Sequence, residues 1–191
     1  LTGLALRLVL AGTLAVAVIG SVYAKNVMDL RYHEYTELSA PAFAVLIWCF
    51  VGVCITYIFG TLITASGDLK TLNFLAAGGM VLNIGLNLVM IPEGHALGAA
   101  WASLITQGAM AVAQMVVASR RYAMRVKLTD ALRLLGYVAV LLGVAFATVH
   151  SGISLPRALL ALVIAAFIGA FGTGLVSLRG LRTVLSLRDE G

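Results

Sequence analysis

Six long runs of apolar residues dominate the chain, and short polar segments separate them. A helix that crosses a hydrocarbon core of about 30 Å needs about 20 mostly apolar residues. The pattern therefore predicts an all-α, polytopic membrane protein in which residues 1–191 form a single transmembrane domain. The six predicted spans cover residues 5–24, 42–64, 72–91, 97–118, 132–149 and 158–177. Ser39 with Pro41, and Ser154 with Pro156, predict where the second and sixth helices begin, since both pairs fit an N-cap with proline in the first turn.

Neutral polar residues form stripes within three neighbouring runs. In the third run Asn83 and Asn87 lie one helical turn apart, and Pro92 with Gly94 predicts the end of that helix. The fourth run places polar residues, and one methionine, on one helical face at positions i, i+3, i+4, i+7 and i+11, namely Ser103, Thr106, Gln107, Met110 and Gln114. The second run adds Thr56, Gly60 and Thr64 at one-turn spacing.

Such amides need a polar environment, because an unpaired amide in hydrocarbon costs several kcal/mol. The third and fourth runs therefore predict a membrane hairpin with a polar inner face. Two interpretations remain open for that face. It lines a hydrated cavity, or its residues tie neighbouring helices together at about 0.6 kcal/mol each.

Composition supports a membrane location. Hydrophobic residues make up 61% of the chain and charged residues 11%, and the mean hydropathy is +1.04. Soluble domains carry about 25% charged residues. The net charge of +5 would suggest a nucleic-acid partner in a soluble chain, but here the basic residues collect at the ends of apolar runs. We therefore expect membrane lipids, and no nucleic acid, as partners.

The basic residues also predict the orientation. In the six-span arrangement, ten basic residues lie on or near one side of the membrane, and three lie on the other, Lys25, Arg31 and Arg157. The ten are Arg7, Lys70, Arg120, Arg121, Arg125, Lys127, Arg133, Arg179, Arg182 and Arg188. Because cytoplasmic loops carry the excess of Lys and Arg, we expect both termini in the cytoplasm. Residues 119–131 are expected to form either a short interfacial helix or a plain basic loop.

Catalytic chemistry has little support in this sequence. Few ionisable residues fall deep in the runs, although such residues usually mark ion and proton paths in membranes. The metalloprotease, serine-hydrolase and phosphate-loop motifs do not occur in the sequence, nor does a cluster of metal ligands. We expect no enzyme activity, no cofactor and no metal.

The region around residues 25–125 resembles the C-terminal half of polysaccharide flippases, which belong to the multidrug/oligosaccharidyl-lipid/polysaccharide exporter superfamily. The resemblance rests on the Asn83 and Asn87 pair, the Ile91-Pro92 stop and the restart Gly98-Ala99-Ala100. The second run ends in a similar way to the family's, with Ala65-Ser66-Gly67 ahead of Lys70. Glu34-Tyr35 is similar to a family loop motif, with His33 near the place of its usual glycine.

The resemblance implies two six-helix lobes around a central cavity with alternating access. This chain would be the C-terminal lobe, its partner the missing N-terminal lobe, and its substrate an undecaprenyl-pyrophosphate-linked glycan moved across a bacterial inner membrane. The resemblance makes Arg7 and Arg133 candidates for meeting the pyrophosphate. The implied cavity residues are those of the polar stripes: Thr56, Asn83, Asn87, Ser103, Thr106, Gln107 and Gln114.

Two other functions remain open. A drug or cation antiporter of the same superfamily would need an acidic residue within a span. A non-transporting scaffold subunit of a glycan-synthesis complex would depend on residues 25–40 and 119–131 instead of the polar stripes.

Overall fold

A computed structural model describes residues 2–32, 35–122 and 128–175, and helices make up nearly all of these residues. Within these residues there are six helices: α1 Thr2–Val22, α2 Ala24–Arg31, α3 Thr36–Ala65, α4 Leu69–Arg121, α5 Leu128–His150 and α6 Leu155–Gly172. Five of these described helices, all except α2, are long and apolar enough to cross a membrane. This agrees with the predicted all-α membrane protein.

The helices group into two compact units. One unit contains residues 20–125, which hold α2, α3 and α4. The other contains α1 as far as Ile19 together with α5 and α6. The predicted cavity residues all lie in the unit of residues 20–125. Arg7 and Arg133 lie in the other unit.

The helix α4 is interrupted near its middle. It has 53 residues, which would extend about 80 Å if straight. At His95 the backbone leaves the helical region, with φ 47° and ψ −126°. The sequence predicted the stop at Pro92 and Gly94, so the break falls slightly later. Proline removes one hydrogen bond toward the preceding turn but does not prevent the next residues from staying helical. We call residues 69–94 the first arm of α4 and residues 96–121 its second arm.

The two arms of α4 run antiparallel and touch along their length. Asn83 hydrogen-bonds Thr106, and Gly79 lies against Met110, whose Sδ would be 2.6 Å from a Cβ at that position. Near the break, Gly98 lies so close to the carbonyl of Met90 that any Cβ would overlap it. Residue numbers fall in one arm as they rise in the other, which defines a closed helical hairpin.

The helix α3 begins at Thr36, earlier than the predicted start at residue 42. Tyr35 stands at its N-cap in the left-handed region, with φ 60°. Pro41 and Ser39 therefore lie inside the helix, where the Ser39 hydroxyl donates to the carbonyls of Tyr35 at 3.2 Å and Thr36 at 3.4 Å. The prediction was wrong here because it followed continuous apolar residues, whereas α3 begins with a turn that contains Thr36, Glu37 and Ser39.

Residues 25–40 fall between the first two predicted spans and were therefore not expected to be helical, but the described part of this segment is mostly helical. The helix α2 occupies residues 24–31, and Lys25 forms an ion pair with Glu37 of α3. The hydrogen bond to Glu37, and then its charge, raise the pKa of Lys25. His33 and Glu34, which carried part of the family resemblance, lie outside the described residues, as do residues 123–127 of the expected interfacial segment.

In the second unit a buried tyrosine joins all three helices. The hydroxyl of Tyr137 on α5 donates to the carbonyl of Ala11 on α1 at 3.0 Å, and its side chain is 1% exposed. Its ring packs on Gly169 of α6, where a Cβ would be 3.2 Å from Cδ2. Ser154 is the N-cap of α6, as predicted, but α6 ends at Gly172 and not at residue 177. Gly174, with φ 69°, turns the chain out of the helix.

We predict that Gly98→Ala destabilises the hairpin, because the added methyl group meets backbone and cannot be relieved by a side-chain rotation. The expected loss is about 1–3 kcal/mol in the free energy of unfolding, the usual effect of overpacking. Gly108→Ala is the matched control: it lies in the same arm, and a Cβ there meets nothing within 4 Å. Thermal unfolding in detergent measures the stability of both variants. Equal melting temperatures for Gly98→Ala and Gly108→Ala would contradict the close contact between Gly98 and Met90.

Candidate functional site

A chain of hydrogen bonds connects the asparagine pair to the opposite arm of α4. The Nδ2 of Asn87 donates to the backbone oxygen and to Oδ1 of Asn83, both at 2.9 Å. The Nδ2 of Asn83 donates to Thr106 Oγ1 at 3.3 Å, and the Thr106 hydroxyl donates to the Ala102 carbonyl at 2.8 Å. Thr106 is 7% exposed. The structure thus brings together three of the predicted site residues, Asn83, Asn87 and Thr106.

Asn87 also borders a surface pocket of about 350 Å³. Its other walls are apolar, formed by Ile84, Leu88, Ile91 and Pro92. Pro92 has no N–H to donate to the carbonyl of Leu88, one turn earlier. An amide and an irregular backbone therefore lie together beside the break in α4. In membrane transporters such breaks occur where backbone lines a cavity.

The two glutamines of the stripe lie against glycines of α3. Gly52 packs on Gln107, whose backbone oxygen would be 3.2 Å from a Cβ at that position. Gly60 packs on Gln114, whose Oε1 would be 3.3 Å from a Cβ there. Because both pairs ascend together, α3 runs parallel to the second arm of α4. Gln107 and Gln114 share one helical face, as predicted, and that face meets α3.

Gln114 differs from the other polar residues of the stripe. It is 5% exposed, and its Oε1 has no hydrogen-bond partner within the described residues. A buried acceptor without a partner costs about 1–3 kcal/mol. A leucine of similar size would avoid that cost.

The remaining stripe residues are partly satisfied by their own helices. Thr56 Oγ1 donates to the carbonyl of Val53 at 2.8 Å, and Thr64 Oγ1 donates to that of Gly60 at 2.8 Å. Such bonds within one helix satisfy a hydroxyl in an apolar environment. Ser103 is half-buried on the second arm. No hydrogen bond among the described residues joins Thr56 or Ser103 to the chain Asn87–Asn83–Thr106.

Polar contacts that the sequence did not predict join the α3–α4 turn to the end of the second arm. Asp68 forms an ion pair with Arg121, which also donates to Thr71 Oγ1 at 2.9 Å, and Ser66 Oγ is 2.5 Å from the Tyr122 hydroxyl. Asp68 is also the N-cap of α4 and accepts from the Thr71 N–H at 3.2 Å. An aspartate directly before an apolar run is the sequence signal for such a cap.

In the unit that contains α1, α5 and α6, the two candidate arginines meet at one carboxylate. Arg7 Nη2 donates to Asp130 Oδ2 at 2.7 Å, and Arg133 Nη1 is 3.7 Å from Asp130 Oδ1. The side chains of Arg7 and Arg133 are 29% and 43% exposed, and that of Asp130 is 17% exposed. The three groups carry one net positive charge. We call them the arginine–aspartate cluster.

Asp130 also lies in the first turn of α5, where the helix dipole favours a negative charge. The sequence pattern did not predict its two arginine partners. Arg133 in turn lies beside Gly174 at the end of α6, about 3.8 Å from the position of a Cβ there.

Comparison with the models of known protein families and with curated proteins finds no significant match to this chain.

We predict that Asp130→Asn lowers the free energy of unfolding of the unit that contains α1, α5 and α6 by about 1.5–3 kcal/mol. This is the usual contribution of a hydrogen bond to a charged group. The variant leaves two arginines facing each other without a counter-charge. Asp29→Asn, in exposed α2, is the control. The double variant Arg7→Met with Asp130→Leu should recover part of the loss, because an apolar pair avoids the cost of burying charges. Thermal unfolding in detergent measures these stabilities. Equal melting temperatures for Asp130→Asn and Asp29→Asn would contradict the predicted destabilisation.

Proposed function

We propose that this chain forms the C-terminal lobe of a flippase for lipid-linked oligosaccharides, which moves an undecaprenyl-pyrophosphate-linked glycan by alternating access. The observation that carries the proposal is the hydrogen-bond chain Asn87–Asn83–Thr106 within an apolar helical hairpin. Amides both donate and accept, so they match the hydroxyl groups of a sugar. Since they carry no charge, they hold the glycan weakly enough for release on the other side.

The proposal includes six membrane crossings, with each arm of α4 crossing once. The 53 residues of α4 are more than twice what one crossing needs, and the arms fold back on each other at the break. Each arm would be about 39 Å long at about 1.5 Å per residue, enough to cross with some tilt. With an even number of crossings, the start of α1 and the end of α6 would lie on the same side. The excess of basic residues makes that side the cytoplasm.

The cavity in this proposal is lined by Asn83, Asn87, Gln107 and Gln114, with Thr56, Ser103 and Thr106 completing the polar stripes. The unpaired oxygen of Gln114 and the pocket beside Asn87 support this assignment. The assignment of Arg7 and Arg133 to the pyrophosphate remains a prediction, and Asp130 already neutralises part of their charge.

The antiporter alternative has less support. Within the described long helices, the acidic residues lie at helix starts or beside the break: Glu37, Glu93 and Asp130. A proton- or cation-coupled antiporter needs a carboxylate near the middle of a span.

The variants Asn87→Ala and Gln107→Leu, made in the full-length protein, test the cavity assignment. We expect glycan export to fall at least about five-fold for Asn87→Ala, the effect of losing one hydrogen bond of ~1 kcal/mol. Asn73→Ala is the matched control, because Asn73 is an exposed asparagine in the same arm. The amount of each variant in the membrane is measured alongside export. Normal export by both variants would show that the assignment is wrong.

Reconstitution separates the flippase from the scaffold alternative. Purified full-length protein in liposomes should move a fluorescent lipid-linked oligosaccharide between leaflets without any other protein. A scaffold subunit would leave the lipid in its original leaflet, and its cellular effect would then depend on residues 25–40 and 119–131.

A further inference from the structure

An apolar groove runs along the unit that contains α1, α5 and α6. It has a volume of about 440 Å³ and extends on α1 from Leu8 to Ile19. Its floor includes the small residues Gly12, Ala15 and Ala170, and Phe167 forms an exposed wall. Small-molecule sites enclose about 300–1,000 Å³, so the groove is large enough for a ligand.

One end of the groove adjoins the arginine–aspartate cluster. Tyr137 lines the groove, and Arg133 and Asp130 precede it by four and seven residues on α5. These spacings place all three on one helical face. Leu8 lines the groove directly after Arg7, and Phe171 lines it one turn before Gly174, beside which Arg133 lies. An occupant of the groove thus has a net positive cluster at this end and hydrocarbon walls along the rest.

The length of the groove matches one leaflet of a bilayer. From Leu8 to Ile19 the helix rises about 16 Å at about 1.5 Å per residue. Half of a hydrocarbon core of about 30 Å is about 15 Å. An acyl chain that starts at the headgroup level therefore extends along the whole groove and ends near the bilayer midplane.

We propose that this groove binds one anionic glycerophospholipid, with its phosphate against Arg7 and Arg133 and one acyl chain along α1 and α6. The exposed part of Arg133 faces the phosphate, while Asp130 holds Arg7 in place from behind. A zwitterionic phospholipid carries its own cation next to the phosphate and gains less from the cluster. This proposal uses the same two arginines as the predicted pyrophosphate contact, and it assigns them to a resident lipid instead of a transported one.

Native mass spectrometry of the detergent-solubilised chain tests the groove. After addition of phosphatidylglycerol or phosphatidylcholine, we expect the wild type to retain one phosphatidylglycerol and little phosphatidylcholine. Gly12→Leu fills the groove, since a Cβ at Gly12 meets nothing within 4 Å, and should abolish retention. Gly143→Leu is the matched control, an equally unobstructed glycine on α5 that is outside the groove. Equal retention by Gly12→Leu and Gly143→Leu would overturn the proposal.

A second pair of variants tests the charge without altering the groove. Arg133→Gln should weaken phosphatidylglycerol binding about five-fold, because one basic residue contributes about 1 kcal/mol beside an anionic headgroup. Arg157→Gln, an exposed arginine at the other end of α6, should leave it unchanged. Failure of the wild type to prefer phosphatidylglycerol over phosphatidylcholine, or unchanged binding by Arg133→Gln, would overturn the proposal. Photo-crosslinking from Phe167 to a protein segment and not to lipid would assign the groove to another helix.

Discussion

Within a membrane, each polar group needs a partner inside the protein, and the described structure follows from this constraint. In hydrocarbon an unsatisfied backbone or amide group costs several kcal/mol, which favours long unbroken helices. Thr56, Thr64 and Thr106 each bond a carbonyl of their own helix. Asn87 donates a hydrogen bond to Asn83, and Asn83 donates one to Thr106 on the other arm of α4. The outer faces are then free to be apolar, as the highly exposed Phe74 and Ile168 illustrate.

Close approach of helices replaces hydrophobic burial as the source of cohesion. Lipid tails are as apolar as leucine, so helices in a membrane gain mainly from packing and hydrogen bonds. Several glycines stand where another helix, or the other arm of α4, comes close, among them Gly52 and Gly60 on α3 and Gly79 and Gly98 on α4. Gly169 does the same beneath the ring of Tyr137. Each marks a contact that a larger side chain would push apart.

The sequence predicted the existence of the long apolar helices well and their ends poorly. Apolar runs report which residues face hydrocarbon, so the long helices were found. They do not report where a helix continues into polar surroundings, which is why the start of α3 at Thr36 and the helix α2 were missed. The contact between Asn83 and Thr106 follows from two polar stripes in adjacent spans. The pairing of Arg7 with Asp130 spans 123 residues of sequence, and no local pattern predicts it.

Gln114 differs from Asn83 and Asn87, because its side-chain oxygen has no hydrogen-bond partner within the described residues. If these residues only tied helices together, each amide would have a partner, as Asn83 and Asn87 have. The oxygen of Gln114 is buried beside Gly60, and within the described residues nothing donates to it. A glycine opposite a leucine would pack equally closely and would avoid the cost of about 1–3 kcal/mol. The unpartnered oxygen of Gln114 is therefore what bonding between helices leaves unexplained, and it is the reason Gln114 is included in the proposed cavity.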